Sequence, residues 1–504
     1  MARIKIDPDR RLGRVDRRIF GNFIEHLGRC IYGGVFEEGS RLSDTRGFRM
    51  DVLHAAKDLR IPILRWPGGN FVSGYHWTDG IGPVDRRPRR IELAWGAEEP
   101  NRFGTDEFIQ YCRALEAEPY ICANLGSGTM DEAQAWVEYC NGTGNTYWAN
   151  LRRANGHAEP YNVRYWGLGN EMYGEWQIGA TSAEAYAARA RQFASVMKLT
   201  DPSIELVSCG QWGWTDWDRI VIDALAPMVR YHSIHLYTGS DDYWRNVLSP
   251  HQADRALRIC EALIARARYQ QHVEHPIGIA FDEWNVWYRT RSPEHRQRGL
   301  EEQYDLADAL AVATFLNIFI RHCRSVEIAN LAQMVNVIAP IFTSPDGLFL
   351  QTIYHPLRLY AEHAQEVALD VLVDSPDYDL SRDKEAHEPT HTSRPWAVGD
   401  LGPFDLLDVS ATCDSSGREL CLGVVNRSPD EPIRTAVQLQ AGSLVGDVSV
   451  YQVNGPEPSS SNSFQNPRVV DVHSDRQAKQ AGESFDYTFP AHSLTVLRLQ
   501  LGPA

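Results

Sequence analysis

Apolar and polar positions along this chain fall into two regimes. From about residue 19 to 365, short apolar runs alternate with longer amphipathic segments, the pattern of a parallel sheet whose strands are joined by crossover helices. Eight runs stand out: IFGNFIEH (19–26), PILRWPGG (62–69), PYICANLG (119–126), VRYWGLGNE (163–171), IELVSCG (204–210), YHSIHLYTG (231–239), IGIAFDEWN (277–285) and EIANLAQMVN (327–336). Eight strands with intervening helices predict an α/β fold, a closed (β/α)8 TIM barrel with its active site at the C-terminal strand ends. An open doubly wound sheet is the alternative. Between the fourth and fifth runs, Thr181 and Glu184 have the spacing of a capping box. They predict a helix through Tyr186, Ala190 and Phe193 that ends at Asp201-Pro202. The segment ADALAVATFLNIFI, between Glu301 and Cys323, is too short and too close to charges to span a bilayer, and predicts a buried barrel helix.

After about residue 365 the runs become short and alternating: EVALDVLVD, LLDVSATC, ELCLGVVN, AVQLQA, VSVYQV and SLTVLRLQL, separated by Pro, Ser, Gly and Asp clusters. They predict a C-terminal antiparallel β-sandwich, jelly-roll-like, over 366–504, with the N-terminal ARIKID of 1–18 adding a strand to it and the barrel occupying 19–365. GPEPSSSNSFQNP (455–467) predicts a mobile loop.

Composition narrows the function. The 504 residues suffice for one barrel and an accessory domain. A net charge of -16 repels nucleic acid and anionic membranes, and the short basic run RRPRR (86–90) predicts a solvated loop rather than a polyanion site. Charges at Arg3, Lys5 and Asp7 interrupt any export-type apolar segment, and no later stretch is long and uncharged enough to cross a membrane, so the chain reads as cytoplasmic. Nine cysteines, scattered singly without CxxC spacing, read as reduced core thiols. No HExxH occurs and GLGNEM lacks the third glycine of a dinucleotide fingerprint, so neither a metal nor another cofactor is expected.

The candidate chemistry lies in two glutamates at strand ends, Glu171 in WGLGNEM and Glu283 in IAFDEWNVWY. Breaking a glycosidic bond requires a proton for the leaving oxygen and a carboxylate on the other face of the sugar, and two carboxylates at one barrel rim supply both. One glutamate after a strand is ordinarily a solvated helix start or an ion-pair partner. Here the other strand ends change that reading. They carry Glu25 and His26, Arg65 with Asn70 just beyond, Asn124, Asn170, His235 and Tyr237, and Gln333 and Asn336. Such a rim suits a small polyhydroxylated ligand, because each buried hydroxyl must find a partner. Arg65 and Tyr237 would favour an ionised Glu283, whereas a neighbouring carboxylate would raise the pKa of Glu171 and keep it protonated. Asn170 is placed to bond a sugar 2-hydroxyl. Trp212, Trp214 and Trp217 in QWGWTDWD suit either sugar stacking or loop packing.

Taken together, GNFIEHLGRCIYGG from Gly21, LRWPGGNFVSGYHW from Leu64, WGLGNEM from Trp166, DEWNVWY from Asp282 and AQMVNVIAPI from Ala332 resemble the α-L-arabinofuranosidases of glycoside hydrolase family 51, over nearly the whole chain. The resemblance implies a retaining, exo-acting enzyme of clan A with Glu171 as general acid/base and Glu283 as nucleophile. It implies that Glu25, Arg65, Asn70, Asn170, Tyr237 and Gln333 hold the furanose and that Trp95 borders the pocket; His235 joins them by its rim position. It further implies arabinose-containing oligosaccharides as substrates and a homo-oligomer, often a hexamer. Two alternatives stay open: a same-fold endo-β-glucanase, β-xylosidase or other furanosidase, and a non-catalytic carbohydrate-binding barrel.

Overall fold

The computed structural model describes residues 1–288, 300–382, 398–477 and 482–502. Eight parallel strands close into a barrel in chain order: Gly21–Phe23, Ile63–Trp66, Glu118–Ala123, Tyr165–Leu168, Glu205–Ser208, Tyr231–Thr238, Gly278–Val286 and Val326–Leu331. Each of the eight apolar runs coincides with one of them to within two residues at its start, and all but the seventh strand stop short of the end of their runs. The open-sheet alternative is excluded by closure of the eighth strand onto the first.

Strand periodicity sorts the side chains. Ile63, Tyr120, Tyr165, Val207, Tyr231, Ala280 and Ile328 form one buried cluster inside the barrel. Their outward neighbours, such as Leu64, Ile121, Trp166, Leu206 and Phe281, join the larger core between barrel and helices. Two residues further along the same inner face come Arg65, Cys122, Gly167, Ser233 and Asp282, so the interior turns polar just below the rim. The seventh strand breaks strict alternation. Its pairing with the sixth shifts register between Ala280 and Glu283, which lets both Asp282 and Glu283 bond to interior side chains.

The second domain is a single nine-stranded sheet wrapped around its own apolar core, not two separately bonded layers. Its pairs are antiparallel with one exception. The N-terminal strand Ala2–Arg14 runs antiparallel to Val367–Asp374 and parallel to Ile433–Leu439, joining the two halves of the sheet. Helix Leu306–Arg321 is buried from Leu306 through Ile320. It packs on the seventh barrel strand and also on strands Leu407–Cys413, Val367–Asp374, Glu419–Asn426 and Ser493–Gln500, which is why it is apolar all round.

Three local expectations change. The helix after the fourth strand spans Ala183–Thr200 and is capped by Ser182, which accepts from the Ala185 amide, so the cap falls one residue beyond Thr181. The segment 455–467 is pinned to the barrel rather than mobile: the Ser460 and Pro458 carbonyls accept from the Leu306 and Ala307 amides, and buried Asn462 donates to the Leu350 and Val470 carbonyls. Within RRPRR, Arg87 is not solvated; it forks onto Glu107 and donates to the Gly82 and Asn101 carbonyls. All nine cysteines are buried and unpaired, and no helix among the described residues is long and apolar enough to cross a membrane.

The helix-to-sheet junction is fastened by polar groups. Buried Asp408 accepts from Asn317 at 2.8 Å and from both Arg321 terminal nitrogens at 3.1 Å, and Arg321 also donates to the Val409 carbonyl. Burial would raise the Asp408 carboxyl, but Arg321 and Arg427 outweigh that and hold it well below the carboxylate range. Replacing Asp408 by Ala removes the carboxylate that pairs with Arg321 and most favours the charge on the buried Arg427, an expected cost of about 3 kcal/mol. Differential scanning calorimetry should therefore show a melting temperature several degrees below wild type; an unchanged melting temperature would show that the junction does not depend on this cluster.

Candidate active site

The pocket at the C-terminal end of the barrel has a volume of about 270 Å³ and is lined by Glu25, Asn70, Trp95, Glu171, Tyr237, Glu283 and Gln333 together with the apolar Leu27, Trp176, Trp287, Leu300, Val337 and Ile338. Glu25 follows the first strand, and its carboxylate is fixed by the Phe71 amide (3.0 Å), the Trp95 indole (3.0 Å) and the Gln333 amide (2.8 Å). This is a close fit. A side chain at Gly69, whose φ is +22°, would lie 2.3 Å from a Glu25 oxygen, so only glycine lets the chain pass. Burial lifts the Glu25 carboxyl to about 8, with Glu283 adding to the rise and the Phe71 amide and Trp95 indole opposing it.

Below the pocket, Arg65 is 1 % exposed, donates to two groups and is ion-paired with a third. One terminal nitrogen meets Glu283 at 2.6 Å, the other meets Asn170 Oδ1 at 2.6 Å, and Nε lies 3.5 Å from Asp282. Tyr237 donates to the second Glu283 oxygen at 2.8 Å. Asn170, its oxygen taken by Arg65, leaves its buried Nδ2 without a partner, as does the Gln333 Oε1. Glu171 follows Gly169 and Asn170 in a turn with φ of +44° and accepts from Tyr173, from Trp176 and from His235, each at 3.0 Å.

His235 stands between the carboxylates. Its Nδ1 is 3.0 Å from Glu171 and 3.4 Å from Glu283, and its Nε2 is 3.3 Å from Asp282. One oxygen each of Glu171 and Glu283 and one ring nitrogen of His235 all lie within 4.8 Å of one another. Burial alone would lower the imidazole, but Glu283, Asp282 and Glu171 outweigh it and lift His235 to about 10. The expected rise at Glu171 is accordingly reversed: burial does push it up, yet the His235, Trp176 and Tyr173 donors hold the carboxyl below its ordinary range. Asp282 is likewise held low, burial being overcome by Arg65, His235 and Ser233.

Every predicted site residue thus borders the pocket or contacts a residue that does. Three other strand-end residues do not reach it. His26 is held between Glu99 (2.8 Å) and the Trp66 indole (3.1 Å), Asn124 binds the Tyr75 carbonyl and Ser127, and Asn336 binds the Arg29 carbonyl and Thr343. Trp217 is a packing residue: its indole donates to the Cys209 carbonyl and stacks on Tyr186. Trp212 and Trp214 pack against each other, tilted by 44°, outside the pocket lining. Sequence reading passed over Asp282, Ser233, Tyr173, Trp176 and Trp287. The alternation of Ser233, His235 and Tyr237 on one strand face was a usable signal for the first of these rows, and Trp176 five residues after Glu171 for the aromatic wall.

A (β/α)8 barrel with two carboxylates facing each other across a polar pocket defines a glycoside hydrolase. Comparison with known proteins gives the family. The alpha-L-arabinofuranosidase 1 domain profile matches residues 55–255 and the alpha-L-arabinofuranosidase C-terminal domain profile matches residues 282–493. The chain is 44 % identical to a probable alpha-L-arabinofuranosidase C of Aspergillus niger over 99 % of this chain and 97 % of that one. It is 41 % identical to an intracellular exo-alpha-(1->5)-L-arabinofuranosidase of Halalkalibacterium halodurans over 75 % of this chain and 79 % of that one. An arabinose complex of the Thermotoga maritima alpha-L-arabinofuranosidase superposes with a TM-score of 0.89 at 42 % identity, covering 99 % of this chain and all of that one. The chain belongs to the α-L-arabinofuranosidases of glycoside hydrolase family 51, and it acts on arabinofuranosides.

Two outcomes follow from the geometry. Tyr237→Phe removes a charge-assisted hydrogen bond from Glu283 and should lower kcat/KM on an aryl arabinofuranoside by roughly 10- to 100-fold. Because His235 rises from 6.5 to about 10 on folding, its protonation favours the folded state fully below pH 6.5, and that share is lost as pH climbs toward 10. Melting curves should fall more steeply over this interval for wild type than for His235→Gln; parallel curves would count against the assignment.

Proposed function

We propose that this protein is a retaining, exo-acting α-L-arabinofuranosidase that removes terminal non-reducing α-L-arabinofuranosyl residues from arabino- and arabinoxylo-oligosaccharides. The observation carrying this reading is the opposition of Glu171 and Glu283, with oxygens within 4.8 Å. Double displacement calls for carboxyl groups about 5 to 5.5 Å apart, whereas inversion needs room for a water and a separation of about 6.5 to 9.5 Å. Glu283, held by Arg65 and Tyr237, attacks C1 as nucleophile; Glu171 gives a proton to the leaving oxygen and later takes one from water. The unpartnered Nδ2 of Asn170 donates to the sugar 2-hydroxyl oxygen, and Glu25, Asn70, Gln333 and Trp95 hold the rest of the ring. A pocket closed below by Arg65 and Asp282 and walled by Trp95, Trp176 and Trp287 admits a chain end, which supports exo- over endo-action. The name of the Halalkalibacterium halodurans relative, an intracellular exo-alpha-(1->5)-L-arabinofuranosidase, supports exo-action inside the cell.

The test is hydrolysis of p-nitrophenyl α-L-arabinofuranoside and of an arabino-oligosaccharide, with the first-formed anomer read by NMR. Wild type should release α-arabinofuranose first. Glu283→Ala should lose turnover and, with azide, form the β-arabinofuranosyl azide. Glu171→Ala should lose roughly 10²- to 10⁴-fold on the oligosaccharide while keeping much of its rate on an activated aryl substrate. Initial release of the β-anomer would replace double displacement with inversion.

A further inference from the structure

Among the described polar groups around the pocket, His235 contacts both proposed catalytic carboxylates. Its ring is 3 % exposed. Nδ1 faces Glu171 and Glu283, and Nε2 faces Asp282. A neutral imidazole carries one acceptor nitrogen, which in either tautomer would point its lone pair at a carboxylate oxygen. Only the imidazolium, with a proton on each nitrogen, satisfies both sides of this ring while the carboxylates are ionised.

Asp282 is built to hold that ring in place. Ser233 donates to its Oδ1 at 2.5 Å, Tyr120 to its Oδ2 at 2.7 Å, and Arg65 Nε lies 3.5 Å from the latter. Among the described residues, the titratable groups that also face these carboxylates include Tyr237 on the strand of His235, Tyr173 beyond Glu171, and the buried Cys209 thiol just past the fifth strand, all of which burial keeps neutral. The cluster therefore holds three carboxylates and two cations, and the cation between the proposed acid and nucleophile is the titratable one.

We propose that the proton Glu171 delivers to the leaving oxygen is stored on His235 Nδ1 until Glu283 attacks, with Asp282 as the positioning residue that keeps the imidazole in register. This rests on the retaining reading above. As a Glu283 oxygen forms its bond to C1, the electron pair of the C1–O bond leaves with the aglycone oxygen and the Glu283 charge disappears into an ester. His235 loses the anion 3.4 Å from Nδ1, and its proton crosses the 3.0 Å contact to Glu171, which passes it to the departing oxygen. Imidazolium and two carboxylates before the step become neutral imidazole, one carboxylate and one ester after it, so the net charge of -1 on these three groups is unchanged. In the second half, Glu171 takes a proton from the attacking water and returns it to His235 as the ester bond breaks and the Glu283 carboxylate reappears. The storage site thus links nucleophile charge to acid protonation.

The test compares kcat/KM for 2,4-dinitrophenyl α-L-arabinofuranoside, whose leaving group needs no proton, with that for an arabino-oligosaccharide, in wild type, Glu171→Ala, His235→Gln and Asp282→Asn. His235→Gln should lose about 100-fold or more on the oligosaccharide and less than about tenfold on the dinitrophenyl substrate. Asp282→Asn should move the basic limb of the oligosaccharide pH profile about one unit lower. Equal losses of His235→Gln on both substrates, beside a leaving-group split in Glu171→Ala, would overturn the storage role and leave the retaining reading intact. No split in Glu171→Ala would instead remove the reading beneath it. Imidazole ¹⁵N shifts of the wild-type enzyme supply an independent check: His235 should be doubly protonated in the free enzyme and neutral in the trapped 2-deoxy-2-fluoro-arabinofuranosyl ester. An imidazolium persisting in the ester overturns the proposal.

Discussion

A single guanidinium enclosed by the barrel organises the chemistry of this molecule. Arg65 has no exposed surface to speak of, and burying a cation is tolerable only where anions and dipoles replace water around it. Glu283, Asp282 and Asn170 supply that replacement, and Phe23 and Tyr120 offer ring faces to the guanidinium plane. The same contacts that make Arg65 tolerable fix Glu283 from below, occupy the Asn170 oxygen so that its amide nitrogen is left without a partner, and set a cation beside Asp282. The geometry of the proposed catalytic site is thus a by-product of satisfying one buried charge.

From that centre, order spreads outward through polar groups with few degrees of freedom. Glu25 is gripped by donors from three separate loops, including the Trp95 indole, whose own backbone amide is tied to Glu92. Trp95 lies in a short hairpin whose arms are Arg90–Ile91 and Glu98–Glu99, and Glu99 at its base binds His26. Trp95 is thus braced at both ends, and the pocket wall it forms is part of a rigid frame. The apolar half of the pocket, from Leu27, Trp287, Leu300, Val337 and Ile338, contributes shape without competing for sugar hydroxyls.

The accessory sheet is coupled to this frame through helix Leu306–Arg321, which serves both cores at once. Its partners on the sheet side are recruited by Asn317 and Arg321, and the segment 455–467 covers its N-terminal amides. Polar composition made that segment look mobile. Its carbonyls and Asn462 side chain instead answer donors and acceptors on the barrel, a match between distant parts of the chain that local composition cannot express.

Periodicity alone was enough for the eight strands, the long buried helix and the change to short alternating strands after residue 365, because burial of one face imposes its spacing directly on the residues. Strand ends were enough to gather the polar rim, since every parallel barrel strand delivers its C-terminal residues to one side. Tertiary structure decided the rest. The register shift before Glu283 turns two successive carboxylates inward where alternation would separate them. His235, one polar residue among several by sequence, becomes central only because three carboxylates from two other segments converge on it, and that convergence reverses the protonation expected of Glu171. His26, Asn124 and Asn336 occupy equally promising strand ends and are consumed by loop contacts. Which of several polar rim residues faces a ligand depends on distances between segments far apart in the chain, and those distances exist only once the barrel has closed.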